Sequence, residues 1–404
     1  MKPALNLSFL PELTALRRDL HAHPELAFKE TRSAEKIAHA LRSYGLEVHQ
    51  GLAQTGVVGI LRKNGEQASR AIGAIGLRAD MDALPLDEKN SFAHASQHAG
   101  KMHACGHDGH TAMLLGAARY LAENQAQLDF AGTVYFIFQP AEESEGGARL
   151  MIEDGLFRLF PMDAVFGLHN WPGLPLGEMA VRAGPVMAGT CSFEIAVRGQ
   201  GGHAAMPHQG VDTLVVASHL VLALQTIVAR NVHPCEAAVL SVTQIHGGTA
   251  MNVIPDDALL RGTIRVFKPA VQNLVEQAIQ RLCAGIAATF GARIEVSFAP
   301  DYPPTVNAAP ETALCLRVAQ SLFGEACVRQ DELPSMGAED FAYMLQKKPG
   351  CYVWLGNGLG NGGNTLHNPH YDFNDALLPM GVSYWVALVE AALPLNCAAT
   401  KFQA

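Results

Sequence analysis

Hydrophobic and polar positions along the first part of the chain follow two patterns, one helical and one typical of buried strands. Residues 31–43 have a helical pattern that Gly45 closes, and residues 109–123 place their apolar side chains on one helical face. Short, continuous apolar runs occupy residues 56–61, 71–77, 132–138 and 163–168. Buried strands that alternate with helices predict an α/β fold with a mainly parallel central sheet flanked by helices.

The pattern changes after Gly184. Strands and helices then follow in the order βαββαβ, and the first strand alternates as a half-exposed sheet does. From residue 303 the α/β pattern resumes. We therefore expect a discontinuous larger domain (residues 1–186 and 303–404) with a smaller α+β domain inserted at residues 187–302.

Composition excludes several classes of protein. The 404 residues are 49% hydrophobic and 17% charged, with a net charge of −9 and no basic block, so nucleic-acid binding is not expected. The most apolar helix-like run, residues 214–228, is too short to span a membrane. The amino terminus lacks the apolar segment of a secretory signal, and the eight cysteines are scattered. A cytoplasmic protein with reduced thiols is expected.

Polar residues follow the apolar strand runs at the points where those runs end. Arg78, Asp80 and Asp82 follow residues 71–77, and the pair Glu142–Glu143 follows residues 132–138. His169–Asn170 ends the next run. Ligands of open α/β sheets bind beyond the carboxyl ends of the strands, so these side chains are expected around one crevice.

The segment MHACGHDGH, residues 102–110, has the residue types of a metal site. Cys105 and His107 flank a glycine on a loop that leads into a helix. A helix amino terminus favours thiolate over thiol, which would make Cys105 a good metal ligand. The alternative is a buried cysteine beside solvent-exposed histidines.

The adjacent carboxylates Glu142 and Glu143 could divide two tasks. One could bind a metal ion while the other accepts a proton from water bound to that metal. A solvated acidic first turn of a helix is the alternative. His169 and His367 are weak signals individually, because a lone histidine at a strand end is more often structural.

Taken together, the motifs resemble the metal-dependent N-acyl-amino-acid amidohydrolases, a family of hippurate hydrolases, aminoacylases and auxin-conjugate hydrolases related to carboxypeptidase G. The resemblance runs nearly end to end and in order. It rests on residues 19–30 (DLHAHPELAFKE), 77–85 (LRADMDALP), 102–118 (MHACGHDGHTAMLLGAA), 139–148 (QPAEESEGGA), 167–172 (GLHNWP), 202–212 (GHAAMPHQGVD), 252–256 (NVIPD), 262–265 (GTIR), 336–345 (MGAEDFAYML) and 366–375 (LHNPHYDFND).

The resemblance implies a catalytic domain with a dinuclear metal centre and an inserted lid domain that mediates dimer formation. It assigns Glu142 as general acid/base and His203 as the group that stabilises the oxyanion, reaching the partner subunit's site. Asn252 and Arg265 would hold the substrate carboxylate. The implied metal ligands, with Cys105 bridging the two ions, are Cys105, His107, Glu143, His169 and His367.

The chain departs from the wider superfamily at one position. Relatives such as carboxypeptidase G have His-x-Asp where this sequence has Arg78-Ala-Asp80, so the usual first histidine ligand is missing. The loop with Cys105 and His107 takes its place, and Asp80 would then orient a ligand. A mixed thiolate, imidazole and carboxylate set suits two divalent ions, manganese or zinc, with cobalt or nickel also compatible.

The function expected from this resemblance is metal-dependent hydrolysis of the amide bond of N-acyl amino acids, such as hippurate-like, N-acetyl or indoleacetyl conjugates. The protein would act as a homodimer or a higher homo-oligomer. Three alternatives stay open: a dipeptidase or carboxypeptidase with the same metals, a non-catalytic metal-dependent binding protein, and a thiol hydrolase that uses Cys105.

Overall fold

The computed structural model describes residues 5–63, 73–143, 145–359 and 365–395. The helices in these ranges are α1 (Leu10–Ala22), α2 (Thr31–Ser43), α3 (His107–Glu123), α4 (Gly147–Glu153), α5 (Leu156–Leu159), α6 (Thr213–Arg230), α7 (Pro269–Phe290), α8 (Ala309–Phe323), α9 (Ala342–Leu345) and α10 (Leu378–Ala392).

The strands of the same ranges are β1 (Glu47–Leu52), β2 (Gly56–Lys63), β3 (Ala74–Asp80), β4 (Gly132–Gln139), β5 (Ala164–Pro172), β6 (Met179–Ala180), β7 (Gly184–Met187), β8 (Gly189–Arg198), β9 (Gly202–His203), β10 (Ala238–His246), β11 (Val253–Ile254), β12 (Asp257–Val266), β13 (Arg293–Pro300), β14 (Thr305–Asn307), β15 (Val328–Arg329) and β16 (Gly350–Gly358).

The described residues form two compact units. The first comprises the described residues of 1–186, 306–333 and 340–404, and the second comprises residues 187–305 and 334–339. The second unit thus extends beyond the expected 187–302 to residue 305. It also includes residues 334–339, whose Ser335 and Gly337 carbonyls accept hydrogen bonds from the Ala188 amide.

The first unit is built on an eight-stranded sheet in the order β1-β2-β4-β3-β5-β16-β6-β15. Its central strands β4, β3, β5 and β16 are parallel, which confirms the predicted α/β fold with a mainly parallel sheet. Leu77, Phe136 and Phe166 of these strands are fully or almost fully buried, as strands covered on both faces require. The run predicted at residues 71–77 forms β3 three residues later, and residues 71 and 72 lie outside the described residues.

Helices α3 and α10 pack against each other and against this sheet. Their contact is close because glycines face the partner helix: a Cβ at Gly381 would lie 2.0 Å from the sulfur of buried Met113. Helix α3 begins at His107, so its packing fixes the position of the segment that was expected to bind metal.

The second unit contains the predicted βαββαβ arrangement. Strands β10, β12, β8 and β13 form an antiparallel sheet in that order, and helices α6 and α7 pack against it. Helix α6 has 18 residues with a mean hydropathy of 1.6, and among the described helices it alone has the length and composition that could cross a membrane. The prediction that this segment is too short to span a membrane was therefore wrong, because the helix is longer than the apolar run. Its Leu220, Leu224 and Ile227 are fully buried in the core of the unit.

A buried charge cluster joins α1 to the first turn of α3. The Nδ1 atom of His21 donates to Asp108 Oδ2 at 2.9 Å, and Arg17 Nη1 lies 3.4 Å from the same oxygen. Arg17 also pairs with Asp372 and Asp375 at 2.9 and 2.7 Å. Burial alone lowers the pKa of His21, but Asp108 and nearby Glu88 outweigh burial and raise that pKa to about 9.

The close approach of α3 and α10 gives a first prediction. Gly381→Ala should lower the free energy of unfolding by about 1–3 kcal/mol, because the new methyl group displaces Met113 in a filled core. Gly285→Ala, within α7, is the matched control, since nothing lies within 4 Å of its Cβ position. It should stabilise by about 0.5–1 kcal/mol through helix propensity. Thermal unfolding followed by circular dichroism measures both, and equal shifts would contradict the packing argument.

The charge cluster gives a second prediction, which depends on pH. Because the folded-state pKa of His21 lies above the ordinary value of 6.5, its stabilising charge is fully present below about pH 6.5 and is lost as pH rises through about 9. His21→Gln should therefore cost about 3 kcal/mol at pH 6 and less at pH 10. Urea unfolding followed by tryptophan fluorescence reports on the first unit, which contains Trp171, Trp354 and Trp385.

His23→Gln is the control for this measurement, because the His23 side chain is partly exposed and contacts only Asp19 and the His98 ring among the described residues. It should change stability little at either pH. A deficit of His21→Gln that is the same at pH 6 and pH 10 would show that the imidazole is uncharged in the folded chain.

Candidate metal centre

The carboxyl ends of three neighbouring parallel strands bring the expected polar residues of the first unit together. Asp80 ends β3, Glu142 and Glu143 follow β4, and His169 lies near the end of β5. The loop before α3 supplies Cys105 to the same cluster, and the first residue of α3 supplies His107. The polar residues that were expected around one crevice therefore lie close together at this edge of the sheet.

Two groups of side chains share Cys105. Cys105, His107 and His169 each offer a donor atom within 4.8 Å of the others, and all three residues are buried. The Cys105 sulfur lies 3.4 Å from His169 Nε2. Cys105, Glu143 and His367 form the second group. The five residues identified from the resemblance as ligands therefore converge on one place, with the thiol common to both groups.

His367 reaches this cluster from a distant part of the sequence. Its backbone amide donates to the Ala104 carbonyl at 2.8 Å, which fixes it beside the Cys105 loop. Its φ of 61° is left-handed, a conformation that is rare for a residue other than glycine. The side chain is 54% exposed, and its Nε2 lies 3.1 Å from Glu143 Oε1. His367 therefore lies in the cluster, although a lone histidine in a sequence is only a weak indication of a site.

Hydrogen bonds orient the two buried imidazoles toward the cluster. His169 Nδ1 donates to the Asn170 carbonyl at 2.6 Å, and His107 Nδ1 donates to Asp82 Oδ1 at 3.2 Å. Each ring then presents Nε2 to the cluster, as metal-binding histidines do. His107 Nε2 is buried and makes no hydrogen bond with a described residue.

Asp80 has a different place from the expected one. Its Oδ1 accepts from His110 Nδ1 at 2.7 Å and its Oδ2 accepts from Arg78 at 2.8 Å, whereas its nearest approach to His107 Nε2 is 3.7 Å. The hydrogen bond that orients His107 comes from Asp82 instead, which also accepts from the Glu143 amide at 3.0 Å. Asp80 orients His110.

Sequence reasoning expected Arg78 near this cluster without giving it a role, and it missed His110 as part of the cluster. His110 lies one helical turn after His107, and its Nε2 accepts from the Asn170 amide at 2.9 Å. Arg78 has 1% exposure and donates to Gln139 at 2.8 Å and to Asp340 at 3.1 Å. The spacing of three between His107 and His110 was the available signal for a shared helix face.

The charge of the cluster is predominantly acidic. Burial lowers the pKa of His107, but Asp80, Asp82 and Glu143 outweigh it and raise that pKa to about 10. Burial raises the pKa of Cys105 well above its ordinary value, and the neighbouring carboxylates of Glu143 and Glu142 raise it further.

The helix terminus, which was expected to favour the Cys105 thiolate, is opposed here by burial and by the neighbouring carboxylates. The thiol is buried among acidic groups, and these outweigh the partial positive charge of the helix. The alternative of a cysteine beside solvent-exposed histidines is also excluded, because His103, His107 and His110 are all buried. A bound cation would reverse the balance and favour the thiolate.

The cluster fits divalent metal ions by the chemistry of its donors. Burial and nearby His110 lower the pKa of His169 well below its ordinary value, so this ring is neutral and offers a lone pair. The unpartnered Nε2 of His107 and the surplus of carboxylates are the features that a cation satisfies. Thiol, imidazole and carboxylate ligands together suit a transition metal better than calcium or magnesium.

The remaining predicted site residues belong to the second unit. His203 lies in β9, which pairs with β11, and Asn252 precedes β11 and accepts from the Ala204 amide at 3.0 Å. These two residues are thus brought together. Arg265 lies on β12 and its Nε donates to Thr263 at 3.2 Å. His203 Nδ1 accepts from the Ala205 amide at 3.1 Å, which leaves the proton of the neutral ring on Nε2.

Comparisons with known proteins agree with this organisation. The chain is 40% identical to hippurate hydrolase of Campylobacter jejuni over 377 residues, which cover 93% of this chain and 95% of that enzyme. It is also 40% identical to N-acetyl-L-cysteine deacetylase of Bacillus subtilis over 375 residues, or 93% of this chain and 86% of that enzyme.

A solved structure with a similar fold is that of a Bacillus subtilis protein described as a dinuclear metal binding peptidase of the M20 family. It superposes with a TM-score of 0.82 at 34% identity, covering 96% of this chain and 99% of that one. The sequence pattern of the peptidase family M20/M25/M40 matches residues 76–391. The chain therefore belongs to the peptidase family M20/M25/M40.

Proposed function

We propose that this protein hydrolyses the amide bond of N-acyl amino acids with the help of two divalent metal ions. Cys105, His107 and His169 would hold one ion, and Cys105, Glu143 and His367 would hold the other, with Cys105 common to both groups. Manganese or zinc is proposed, and cobalt or nickel would also suit these ligands.

The observation that carries this proposal is the position of Glu142. Its Oε2 lies 4.0 Å from His107 Nε2, beside both donor groups, and the residue is 6% exposed. Glu142 is not itself in either group of proposed ligands. A carboxylate that adjoins a metal site without being needed as a ligand is suited to accept a proton.

The chemistry follows from these positions. The two ions would supply an activated water and polarise the scissile carbonyl when bound. Glu142 takes a proton from the water as its oxygen attacks the carbonyl carbon. It then gives that proton to the amide nitrogen as the C–N bond breaks, so that a carboxylic acid and a free amino acid leave. Proton delivery matters because an amide nitrogen is a poor leaving group.

Two residue roles in the second unit complete the proposal. His203 donates its Nε2 proton to the oxygen that becomes negative during the attack, which its hydrogen bond at Nδ1 supports. Asn252 and Arg265 hold the α-carboxylate of the substrate, as an amide and a guanidinium are able to do.

The substrate class is supported by what the relatives' names share. A hippurate hydrolase and an N-acetyl-L-cysteine deacetylase both act on an amide between an acyl group and an amino acid. The acyl groups differ in size, so the amino-acid side is the common element. A peptidase is the second candidate, because the structural relative is described as one.

Assembly and location are proposed on separate observations. The second unit exposes apolar side chains, among them Met251, Leu222 and Val253, which supports a homodimer or a higher homo-oligomer through this unit. Seven cysteines among the described residues are free, which supports a reducing, cytoplasmic location.

Substitution of the two adjacent glutamates separates their roles. Glu142→Gln should retain bound metal and lose about 10²–10⁴-fold in kcat, because the amide cannot accept the proton. Glu143→Gln should lose metal first. Glu145→Gln, on an exposed side chain in the same loop, is the control and should change neither. Metal analysis and steady-state kinetics measure these effects, and near-wild-type kcat in Glu142→Gln would exclude its role as a base.

A substrate panel tests the reaction itself. With Mn²⁺ or Zn²⁺, the protein should release amino acids from benzoyl-Gly, acetyl-Met or indoleacetyl-Ala, and a chelator should abolish this release. Faster cleavage of dipeptides would assign a peptidase instead. Activity that survives chelation would assign thiol catalysis to Cys105, and no release with any metal would favour a binding role.

A further inference from the structure

Glu30 is a buried carboxylate for which the proposed reaction gives no task. It ends the motif at residues 19–30, precedes helix α2, and has no exposed surface. Its Oε2 accepts a hydrogen bond from Thr55 Oγ1 at 2.7 Å, and its Oε1 accepts one from the Ala141 backbone amide at 3.0 Å. The second contact is the informative one, because Ala141 directly precedes Glu142.

Ala141 has an unusual backbone conformation. Its φ is 55°, in the left-handed region that disfavours residues with a Cβ. Such a residue persists only when its surroundings hold it, and such conformations are concentrated at functional sites. Alanine has no polar side chain with which to stabilise the conformation itself, so the restraint must come from neighbouring groups.

Three hydrogen bonds hold this turn. Glu30 accepts from the Ala141 amide, the Ala141 carbonyl accepts from the Gly147 amide at 2.9 Å, and Asp82 accepts from the Glu143 amide at 3.0 Å. The Gly147 and Asp82 bonds hold the residues that follow the Ala141 amide. Glu30 is the side chain that holds the amide itself, on the side from which the chain leaves β4.

The consequence for Glu142 is geometric. If Ala141 relaxed to an ordinary negative φ, the peptide that follows would turn about the N–Cα bond by more than 100°. The Glu142 side chain would then leave its position beside His107. A misplacement of about 1 Å at a reacting group can reduce turnover 10²-fold.

Retention of a carboxylate here also has a cost. Burial raises the pKa of Glu30 to about 7, although Thr55 and the Ala141 amide partly oppose this. An apolar residue would avoid that cost and would leave the Ala141 amide without an acceptor.

We propose that Glu30 is a positioning residue: its Oε1 holds the Ala141 amide in the left-handed turn that directs Glu142 to the reacting water. This inference rests on the proposed role of Glu142 as the general base. It adds a residue that touches neither substrate nor metal and acts through the backbone.

The test compares three variants of the full-length, metal-loaded protein. Glu30→Ala removes the acceptor and should lower kcat by about 10–100-fold, with KM and bound metal near the wild-type values. Glu30→Gln keeps an amide oxygen for the Ala141 amide and can still pair with Thr55, so it should retain kcat within about threefold. Glu35→Ala, on an exposed side chain of the same helix, is the control and should change nothing.

Amide hydrogen exchange gives a readout that does not depend on activity. Exchange of the backbone in residues 139–143 should accelerate in Glu30→Ala and stay near wild type in Glu30→Gln and Glu35→Ala. Ala141→Gly offers a variant that keeps every site side chain and adopts the left-handed conformation without strain. In the Glu30→Ala background it should restore part of kcat, since the turn then depends less on the Glu30 acceptor.

The outcomes separate this inference from the proposed function. Full kcat in Glu30→Ala, or equal losses in Glu30→Ala and Glu30→Gln, would overturn the positioning role. Unchanged exchange at residues 139–143 in Glu30→Ala would overturn it as well. Full kcat in Glu142→Gln would instead overturn the role of Glu142 on which the inference rests.

Discussion

The arrangement of the first unit depends on one buried cation. Arg78 lies on a central strand of the sheet with 1% exposure, and a buried guanidinium must be matched by nearby acceptors. It finds them in Asp80 at the end of its own strand, in Gln139 at the end of β4, and in Asp340. Asp340 in turn accepts from the Ala148 amide at the beginning of α4. One side chain therefore connects two strand ends and the segment that follows the glutamate pair.

The same constraint explains how the cluster stays organised. Arg78 provides a positive charge that is always present, so Asp80 stays ionised and can fix His110. Burial raises the pKa of Asp80, but His107, His110 and Arg78 outweigh it and hold that pKa well below the ordinary value. Glu142 and Glu143 then supply the carboxylates that lie nearest to the proposed metal ions.

The sequence predicted those helices and strands whose apolar residues recur at a regular spacing or whose ends are marked by turn residues. The helix at residues 31–43 and the strands near residues 56, 132 and 190 lie where they were expected. Helix α10 was not predicted, because most of its residues are apolar and buried, which leaves only a weak amphipathic period. Strands β6 and β15, with two residues each, are defined by pairing with distant parts of the chain, which no local pattern records.

The pattern of strands predicted the site residues that lie at strand ends, and the resemblance added Cys105, His107 and His367. The order of strands and polar residues was enough to place Asp80, Glu142, Glu143 and His169 at one edge of the sheet. The contacts of Arg78, Asp82 and His110 depend on tertiary packing and were missed. The pKa of the Cys105 thiol could not be predicted for the same reason. The helix terminus beside it is visible in the sequence, but its burial among carboxylates depends on tertiary packing.

The charge cluster around Arg17 has a consequence for the order in which the chain folds during synthesis. Arg17 is fully buried, yet two of its carboxylate partners, Asp375 and Asp372, lie 358 and 355 residues further along the chain. The second unit, nearly all of it from residues 187–305, has emerged by then. A nascent chain must therefore hold helix α1 without two of the three carboxylate partners of its arginine until residues 372–375 have emerged, and this interval is when ribosome-associated chaperones would matter most.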